Sequence, residues 1–216
     1  MPSFRFHRFD EALRSRYGVE RLVGVDEAGR GPLAGPVVAA AVVLPPDSCP
    51  DLEGVRDSKR LAPSRREALF LRIRARAVRV GVGWSLPEEI DDRNILQATF
   101  FAMRRALARM CPGELRDPAT LVVVDGDKTI PGLSARQESF VAGDDRSLCV
   151  ASAGIVAKVV RDRWMRLLDR RHPGYGFGRH KGYGTAAHFQ ALERLGPCGA
   201  HRRSFLRRRL EPAGAR

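Results

Sequence analysis

The stretch from Leu22 to Gly31 constrains the fold of this chain more than any other. It begins as a short apolar run, which is typical of a buried strand, and it ends in a glycine-flanked loop. Two carboxylates, Asp26 and Glu27, lie where strand becomes loop. Because adjacent strand residues point to opposite faces, these acids can share a site only where the strand breaks. The pattern indicates a site for a hard divalent cation, although a solvated acidic turn explains this stretch equally well by itself.

A second acidic motif repeats this arrangement later in the chain. Residues 121–124 are continuously apolar and follow a helix, which predicts a central strand parallel to its neighbour. The strand runs straight into Asp125, which is followed by glycine and a further acid. Ligands of open α/β sheets gather beyond the strand ends, so Asp26, Glu27 and Asp125 converge if the two strands are neighbours.

Carboxylates that crowd one point repel one another and need cations to offset their charge. Two divalent ions about 4 Å apart, one activating water and the other stabilising the leaving oxygen, meet this need in phosphodiester cleavage. Magnesium suits such a site because it retains several waters and binds few carboxylates together with substrate phosphate.

The residues alone leave the fourth carboxylate open among Asp127, Asp144, Asp145 and Asp162. Asp144 is favoured because it follows a glycine at the end of a predicted strand. Asp162 lies one helical turn after Lys158, so we expect these two to form a surface ion pair.

The periodicity of the chain predicts an α/β domain with a helical C-terminal region. Predicted strands cover residues 21–26, 34–44, 78–85, 121–124 and 138–141. The first two are expected to pair antiparallel, because the interval between them is too short for a crossover helix. Predicted helices cover a short N-terminal segment, residues 63–75, the interval between Asp92 and Pro112, and residues 147–170, 185–195 and 201–209. Residues 172–184 are expected to form a loop.

Two helices carry an apolar stripe that we expect to face inward. The stripe residues are Leu96, Phe100, Met103, Leu107 and Met110 in the first, and Val156, Val159, Val160, Trp164, Leu167 and Leu168 in the second. Thr185 is expected to cap the helix that ends at Leu195.

The net charge of +13 is concentrated in the last third of the chain. Residues 154–216 carry 15 Lys and Arg against 4 Asp and Glu, whereas residues 1–153 carry 23 against 21. This concentration is typical of a surface that binds polyanions such as nucleic acid, although a basic tail can also contact lipids or only raise solubility. We expect the segment with Arg207, Arg208 and Arg209 to grip a duplex.

Length and cysteine usage exclude several classes of protein. The 216 residues suit one large domain. Four widely spaced cysteines form no CxxC pair, which argues against a zinc site and against a disulfide framework. Because no apolar run is long enough to span a membrane and the N-terminus lacks a signal-peptide core, we expect a cytoplasmic protein without a membrane partner.

Six motifs, in family order, resemble those of ribonuclease HII. They are residues 24–31 (GVDEAGRG), 57–59 (DSK), 124–126 (VDG), 155–162 (IVAKVVRD), 180–185 (HKGYGT) and 201–205 (HRRSF). The resemblance implies an RNase H-like fold, with a central mixed five-stranded sheet flanked by helices and a helical C-terminal region. It also implies one catalytic domain over residues 1–216, with its α/β core at 17–170 and a basic helical region at 171–216.

The implied activity is that of a metal-dependent endoribonuclease. Such an enzyme hydrolyses the RNA strand of RNA–DNA hybrids and incises duplex DNA on the 5′ side of single ribonucleotides, leaving 3′-hydroxyl and 5′-phosphate ends. The implied cofactors are two Mg²⁺ or Mn²⁺ ions, and Asp26, Glu27, Asp125 and Asp144 match the family's metal ligands. We expect a monomer without an obligate protein partner.

The residues that match the family's substrate contacts are Gly29, Arg30, Gly31, Tyr183, Lys59 and Lys181. By this resemblance the glycine–arginine–glycine loop senses the 2′-hydroxyl, Tyr183 contacts the same ribonucleotide, and the lysines contact phosphates. The 2′-hydroxyl distinguishes RNA from DNA, and both backbone amides and a phenol can form hydrogen bonds with it. For Tyr183 taken alone, packing on a neighbouring helix is the competing explanation.

Two positions depart from the family pattern. Gly154 stands where serine is common, and Ala142 where a basic residue is common; we expect both to alter local packing without touching a metal ligand. The sister family, ribonuclease HIII, has an additional N-terminal domain, whereas about 20 residues precede the first predicted strand here.

Two other functions are consistent with the composition. One is a catalytically silent nucleic-acid-binding protein on the same scaffold, and the other is a different metal-dependent phosphoryl-transfer enzyme such as a DNA nuclease. A pure binding protein would lose affinity by keeping carboxylates beside phosphates. We expect His172, His180 and His201 to be structural or phosphate-facing, because the carboxylates already supply ligands for a hard ion.

Overall fold

In the computed structural model, a five-stranded sheet lies between helices. The structure describes residues 2–47, 49–110 and 113–210, and the backbone alone at residues 2–4, 114 and 208–210. The strands are β1 (Arg21–Ala28), β2 (Val37–Val43), β3 (Arg79–Ser85), β4 (Thr120–Asp125) and β5 (Gln137–Phe140), in the order β3-β2-β1-β4-β5. Strand β2 is antiparallel to β1 and β3, whereas β1, β4 and β5 are parallel. The predicted mixed five-stranded sheet is confirmed.

Eight helices surround the sheet in the described part of the chain. They are α1 (Pro2–Tyr17), α2 (Pro63–Arg76), α3 (Pro87–Arg93), α4 (Ile95–Ala108), α5 (Leu148–Arg171), α6 (Phe177–His180), α7 (Ala186–Leu195) and α8 (Arg203–Leu210). Local capping sets several of their starts. Side-chain oxygens of Asn94, Ser147 and Thr185 accept backbone amides in the first turns of α4, α5 and α7. The predicted Thr185 cap is therefore confirmed. None of these helices is long and apolar enough to cross a membrane.

Two short helices were not predicted. Asp91 and Asp92, which precede α4 as expected, are themselves part of a helix, α3. Asn94 (φ 69°) separates α3 from α4. The segment 172–184 is not entirely loop, because it contains the four-residue helix α6. Helices this short contain too few turns to give a periodic apolar signal.

The two faces of the sheet have separate cores. Leu22 of β1 packs in the core formed with α1, α2 and α5, whereas its neighbour Val23 packs against α4 on the opposite face. The apolar stripe of α4 is buried or half-buried, as predicted. In α5 the prediction is only partly right. Trp164, Leu167 and Leu168 are half-buried, and the buried residues beyond Val159 are Arg161, Asp162 and Met165.

The parallel strands bring the acidic motifs to one edge of the sheet. Val25 pairs with Val124, so Asp26 and Asp125 follow at the same level. Asp125 in turn pairs with Phe140, at the end of β5. Helix α5 lies directly against β1, because a Cβ added at Gly24 would overlap its first-turn backbone. The carboxyl ends of β1, β4 and β5 and the α5 helix therefore surround one point.

The C-terminal helices form a third, smaller core. Met165 of α5 packs there with Tyr175, Phe177 and Ala191, and with Ala34 from the loop after β1. An isolated bridge joins Ala34 to His201. These contacts tie the C-terminal region to the loop that follows the first acidic motif.

Candidate metal centre and active site

Three carboxylates converge where the parallel strands end. Asp26 (β1), Asp125 (β4) and Asp144 (after β5) each offer an oxygen atom, and these atoms lie within 4.8 Å of one another. Within the described residues, this is the only such group of three or more histidines, cysteines or acids. Of the candidates for the fourth acid, Asp144 is thus the one that the fold brings to the cluster.

Backbone amides orient these carboxylates. The amide of Glu27 donates to Asp26 Oδ1 at 2.6 Å, and that of Gly143 donates to Asp125 Oδ1 at 2.8 Å. The chain enters the Gly143 turn through Ala142, whose left-handed backbone (φ 55°) precedes Asp144. Each bond occupies one oxygen of a carboxylate and fixes the direction of the other.

Burial and crowding make ionisation of these carboxylates unfavourable. Burial, followed by repulsion from Glu27 and Asp125, raises the pKa of Asp26 well above its ordinary value. Burial and then Asp125 raise the pKa of Asp144 to about 6. Hard divalent cations bind through carboxylate oxygens and relieve such repulsion. The donor set therefore fits Mg²⁺ or Mn²⁺.

Glu27 lies at the border of this group. Its half-buried carboxylate is 3.4 Å from Arg30 Nη1, and it is not one of the three that converge within 4.8 Å. Burial raises the pKa of Glu27, while Arg30 opposes this effect. Three of the four predicted ligands thus converge, and the fourth stands beside them.

The other candidate acids have different partners. Asp127 is exposed and pairs with Lys128 at 3.5 Å, and Asp145 is 3.8 Å from Arg60. Asp162 does pair with Lys158, at 2.7 Å, but the prediction of a surface pair is wrong. Asp162 is buried, because α5 turns it towards Arg66 of α2 (3.4 Å) as well as towards the lysine.

A cleft of about 570 Å³ opens over Asp26 and Glu27. Its lining residues include Gly29, Arg30, Gly31, Lys59 and Tyr183, all of them predicted substrate contacts. Tyr183 is 47% exposed, and its ring atom Cε1 lies 4.0 Å from where a Cβ of Gly31 would stand. The predicted sugar-sensing loop and tyrosine therefore face each other beside the carboxylates.

The two predicted phosphate-binding lysines occupy different positions. Burial would lower the pKa of Lys59, but the surrounding acids, Asp26 first, raise it, so this cation is held beside the cluster. Lys181 lies in an adjoining groove and donates to the Gly178 carbonyl. Lys158 lines both the cleft and this groove. It was not predicted as a site residue, although its motif was recognised.

Two further observations correct the sequence-based expectations. Gly154 does touch a metal-site residue, because a Cβ added there would overlap Asp26 Oδ2. Ile95 and Phe205 also line the cleft and were not predicted to do so. Apolar residues of this kind carry no sequence signal that separates a cleft wall from the core.

The histidines lie apart from the carboxylates. His180 stacks on His188 with ring centroids 4.4 Å apart, and the Nε2 atoms of His188 and His201 are 3.0 Å apart. His172 contacts Phe177 edge to face. His188 was not singled out by sequence, because a histidine within an amphipathic helix carries no distinctive signal. Arg207 is exposed, whereas the side chains of Arg208 and Arg209 fall outside the described ones.

Comparison with known proteins agrees with this geometry. The family model described as Ribonuclease HII matches residues 23–209. The chain belongs to the ribonuclease HII family. Ribonuclease HII of Syntrophotalea carbinolica is 53% identical over 91% of this chain and 90% of its own length. That of Geobacillus kaustophilus is 52% identical over 87% of this chain and 69% of its own length.

Solved structures support the same fold. Ribonuclease H2 of Pyrococcus horikoshii is 28% identical and superposes with a TM-score of 0.64 over 85% of this chain and 93% of its own. Bst-RNase HIII in complex with Mn²⁺ is 18% identical, with a TM-score of 0.63 over 90% of this chain and 74% of its own, and shows the fold alone. This member of the family is accordingly a metal-dependent ribonuclease H with an RNase H-like fold, and it acts on RNA–DNA substrates.

Proposed function

We propose that this ribonuclease HII cleaves the RNA strand of hybrids and also incises duplex DNA on the 5′ side of single embedded ribonucleotides, leaving 3′-hydroxyl and 5′-phosphate ends. One cleft supports this proposal: it brings the Gly31–Tyr183 pair beside the acidic cluster. We call Gly29, Arg30, Gly31 and Tyr183 the sugar reader. Because it lies next to the carboxylates, it would direct cleavage to the phosphodiester bond beside a ribose.

Asp26, Asp125 and Asp144, with Glu27 beside them, are the residues that would hold the metal. Two Mg²⁺ or Mn²⁺ ions bound there would supply an activated water and charge stabilisation for the leaving oxygen. The protein's part is to present oriented oxygens, through the amide of Glu27 at Asp26 and the amide of Gly143 at Asp125. The raised pKa values of Asp26 and Asp144 reflect burial and mutual repulsion, which bound cations would relieve, and this supports the proposed metal site.

Sugar recognition is assigned to the loop of Gly29, Arg30 and Gly31 and to Tyr183. Gly29 has φ of +97°, a backbone conformation that favours glycine, and a Cβ there would overlap Arg161. The 2′-hydroxyl is both donor and acceptor, so backbone groups and a phenol can read it together. A deoxyribose offers neither interaction.

The basic groups around the cleft would contact the strand backbone. Lys59 lies beside the carboxylates, and Lys158 connects the cleft to the groove that contains Lys181. Such contacts position a nucleic acid without reading its sequence. We place the whole chain in one catalytic domain and assign duplex grip to its basic C-terminal region, residues 171–216, with the protein acting as a monomer.

The test uses a labelled DNA duplex with one ribonucleotide, beside an all-DNA duplex and an RNA–DNA hybrid, in Mg²⁺ or Mn²⁺. Wild type, Asp125→Asn and the matched exposed control Asp127→Asn are compared. We expect wild type and Asp127→Asn to incise 5′ to the ribonucleotide, and Asp125→Asn to fail. Extension of the product by a DNA polymerase verifies the 3′-hydroxyl.

Other outcomes identify the alternatives. Binding without incision in both metals would indicate a silent binding protein. Cleavage of the all-DNA duplex would indicate a general nuclease and would remove the sugar-sensing role. Cleavage of hybrids alone would leave ribonuclease H activity but contradict incision at single ribonucleotides.

A further inference from the structure

Two adjacent residues of the C-terminal region, His201 and Arg202, are buried between α7 and α8. His201 is 3% exposed and Arg202 is 0% exposed. Neither belongs to the carboxylate cluster or lines the cleft. Each side chain nevertheless makes contacts that lead to one half of the proposed sugar reader.

Arg202 reaches the glycine–arginine–glycine loop directly. Its guanidinium donates to the carbonyl of Gly29 at 2.6 Å and to that of Arg30 at 2.8 Å. It also donates to the Gly35 carbonyl through Nε (3.0 Å) and Nη2 (2.8 Å). One rigid, planar group therefore binds two carbonyls within the loop and a third, that of Gly35, beyond it.

Packing alone does not account for this arginine. Burial, followed by repulsion from Arg161, lowers the pKa of Arg202 to about 9. Asp91 offsets the cost of burying this charge only in part, and an apolar side chain of similar volume commonly packs at lower cost. What an apolar side chain cannot provide is the set of donors for the loop carbonyls.

His201 reaches Tyr183 through His188. The Cys198 amide donates to His201 Nδ1 at 3.0 Å, which leaves the ring proton on Nε2. That proton is donated to His188 Nε2, 3.0 Å away. His188 then donates from Nδ1 to the Tyr183 carbonyl at 2.9 Å. This assignment of the two tautomers satisfies every ring nitrogen.

The relay requires neutral histidines. If both rings were protonated, two donors would face each other across the 3.0 Å separation. Burial lowers the pKa of His201 to about 4 and also lowers that of His188, so both rings are neutral near pH 7. The hydrogen-bond chain is then intact under ordinary assay conditions.

A second buried arginine, Arg161, connects the segment that follows the Gly29–Gly31 loop with the segment that precedes Tyr183. Arg161 of α5 donates to the carbonyls of Pro36 and Lys181, each at 3.0 Å. The Leu33 amide donates to the Gly182 carbonyl at 2.8 Å, so the loop after β1 and the loop before α7 are joined by their backbones. These hydrogen bonds surround the place where Gly31 faces the Tyr183 ring, whose Cε1 atom would lie 4.0 Å from a Cβ added at Gly31.

We propose that His201 and Arg202 are positioning residues that set the spacing between the Gly29–Gly31 loop and Tyr183, and that they thereby determine discrimination between ribose and deoxyribose. This inference rests on the proposed sugar-sensing function of the loop and Tyr183. Neither residue touches the substrate in this scheme. They act through the loop carbonyls and the tyrosine backbone.

The first test compares variants that keep volume but change the donors. His201→Phe keeps a ring against Tyr175 and Phe177 but breaks the relay, whereas His201→Gln keeps an amide donor near the Nε2 position. Arg202→Lys keeps the charge, but a single ammonium cannot span the three carbonyls. We expect kcat on the single-ribonucleotide duplex to fall about 10- to 100-fold in His201→Phe and Arg202→Lys, because ~1 Å misplacement can cost ~10²-fold. We expect His201→Gln to recover much of the loss, and the Mg²⁺ midpoint to change little.

The second test is a double-mutant cycle with Tyr183→Phe. If His201 acts through Tyr183, its substitution should have little further effect once the phenol is gone. Binding is measured in the inactive Asp125→Asn background, where the ribonucleotide duplex and the all-DNA duplex are compared by fluorescence anisotropy. In His201→Phe and Arg202→Lys we expect the ratio of affinity for the ribonucleotide duplex to affinity for the all-DNA duplex to fall about tenfold. This corresponds to the loss of one oriented hydrogen bond, ~1.4 kcal/mol, and affinity for the all-DNA duplex should not change.

Two results would overturn the inference. One is a folded His201→Phe or Arg202→Lys variant that keeps the wild-type ribose preference. The other is a double-mutant cycle in which the fold-loss of kcat in each double variant equals the product of the losses in the two single variants. A purely structural role predicts that result. If wild type itself showed no ribose preference, the proposed function would fail instead. Thermal unfolding verifies that each variant folds, and His201→Gln supplies the milder change if His201→Phe does not.

Discussion

Replacing Asp144 with asparagine should stabilise the metal-free protein while abolishing cleavage. In the folded protein, burial and then Asp125 raise the pKa of Asp144 from 3.8 to about 6. The folded state therefore binds this proton more tightly than the unfolded state does. The resulting stabilisation is fully present below pH 3.8 and is lost as the pH rises through about 6. At pH 7.5 repulsion of the ionised carboxylate by Asp125 and Asp57 outweighs its attraction to Lys59, and asparagine removes this net repulsion.

The size of the effect follows from this pKa difference. Moving from 3.8 to about 6 corresponds to ~3 kcal/mol for a fully buried group. Asp144 is only partly buried, and solvent screening reduces this to ~1–2 kcal/mol. For a chain of this length each kcal/mol changes Tm by about 2–4 °C, so we expect a gain of about 2–8 °C.

The assay is thermal unfolding followed by circular dichroism in EDTA. Asp127→Asn is the matched control, because Asp127 is exposed, pairs with Lys128 and lies outside the cluster. We expect its Tm to equal that of wild type. At pH 4.5 the advantage of Asp144→Asn should shrink, because Asp144 is then mostly protonated in the folded wild type. Added Mg²⁺ should stabilise wild type more than Asp144→Asn, because a ligand that binds the folded state raises its stability.

Two results would refute this reasoning. If Asp144→Asn were no more stable than wild type in EDTA at pH 7.5, the crowding of charge inferred for the cluster would be wrong. If Mg²⁺ raised the Tm of both proteins equally, Asp144 would not be a metal ligand. The second result would also reopen the question of the fourth carboxylate.

Three further substitutions test the surroundings of the site. Gly24→Ala should destabilise the protein by about 3 kcal/mol or more in urea denaturation, because the new Cβ meets backbone of α5 that cannot move aside; a loss below about 1 kcal/mol would contradict the close packing of α5 on β1. Asp162→Asn should cost about 3–5 kcal/mol in the same assay, because it leaves Arg66 buried beside Lys158 without a carboxylate; a neutral result would indicate that water solvates these cations. Gly154→Ala should raise the Mg²⁺ concentration for half-maximal cleavage about tenfold, because the methyl group displaces the Asp26 carboxylate by ~1 Å; an unchanged Mg²⁺ midpoint would contradict that contact.

The sheet could be predicted because its signals are local. An apolar run that ends in an acid marks both a strand and its end, and two such runs are β1 and β4. Once the first and fourth strands are placed side by side, Asp26 and Asp125 must meet, since parallel strands end at the same edge. The short helices α3 and α6 escaped prediction because they depend on tertiary contacts, such as that of Asp91 with the backbone of Arg203.

The polar interior could not be predicted in this way. Patterns place charged residues outside, yet Arg161, Asp162 and Arg202 are buried. Arg202 meets Gly29 across 173 positions of sequence, and nothing local to either residue indicates that contact. The same reason applies to Gly154, whose importance comes from the Asp26 side chain that fills the space beside it.

The residues that support the carboxylate cluster differ from those that support the proposed sugar-sensing residues. The carboxylates are oriented by amides of their own segments, Glu27 and Gly143, within the α/β core. The proposed sugar-sensing residues are held by Arg161, His201 and Arg202, and two of these three come from the C-terminal region. The exposed contact of Arg30 with Glu27 (3.4 Å) joins the loop to the carboxylates, but the amides that orient Asp26 and Asp125 do not bond to Arg161, His201 or Arg202. A change in one set of supports therefore leaves the other set in place. Substitutions in the C-terminal region should therefore reduce ribose selectivity while metal dependence is retained, whereas substitutions at the strand ends should abolish cleavage of every substrate together.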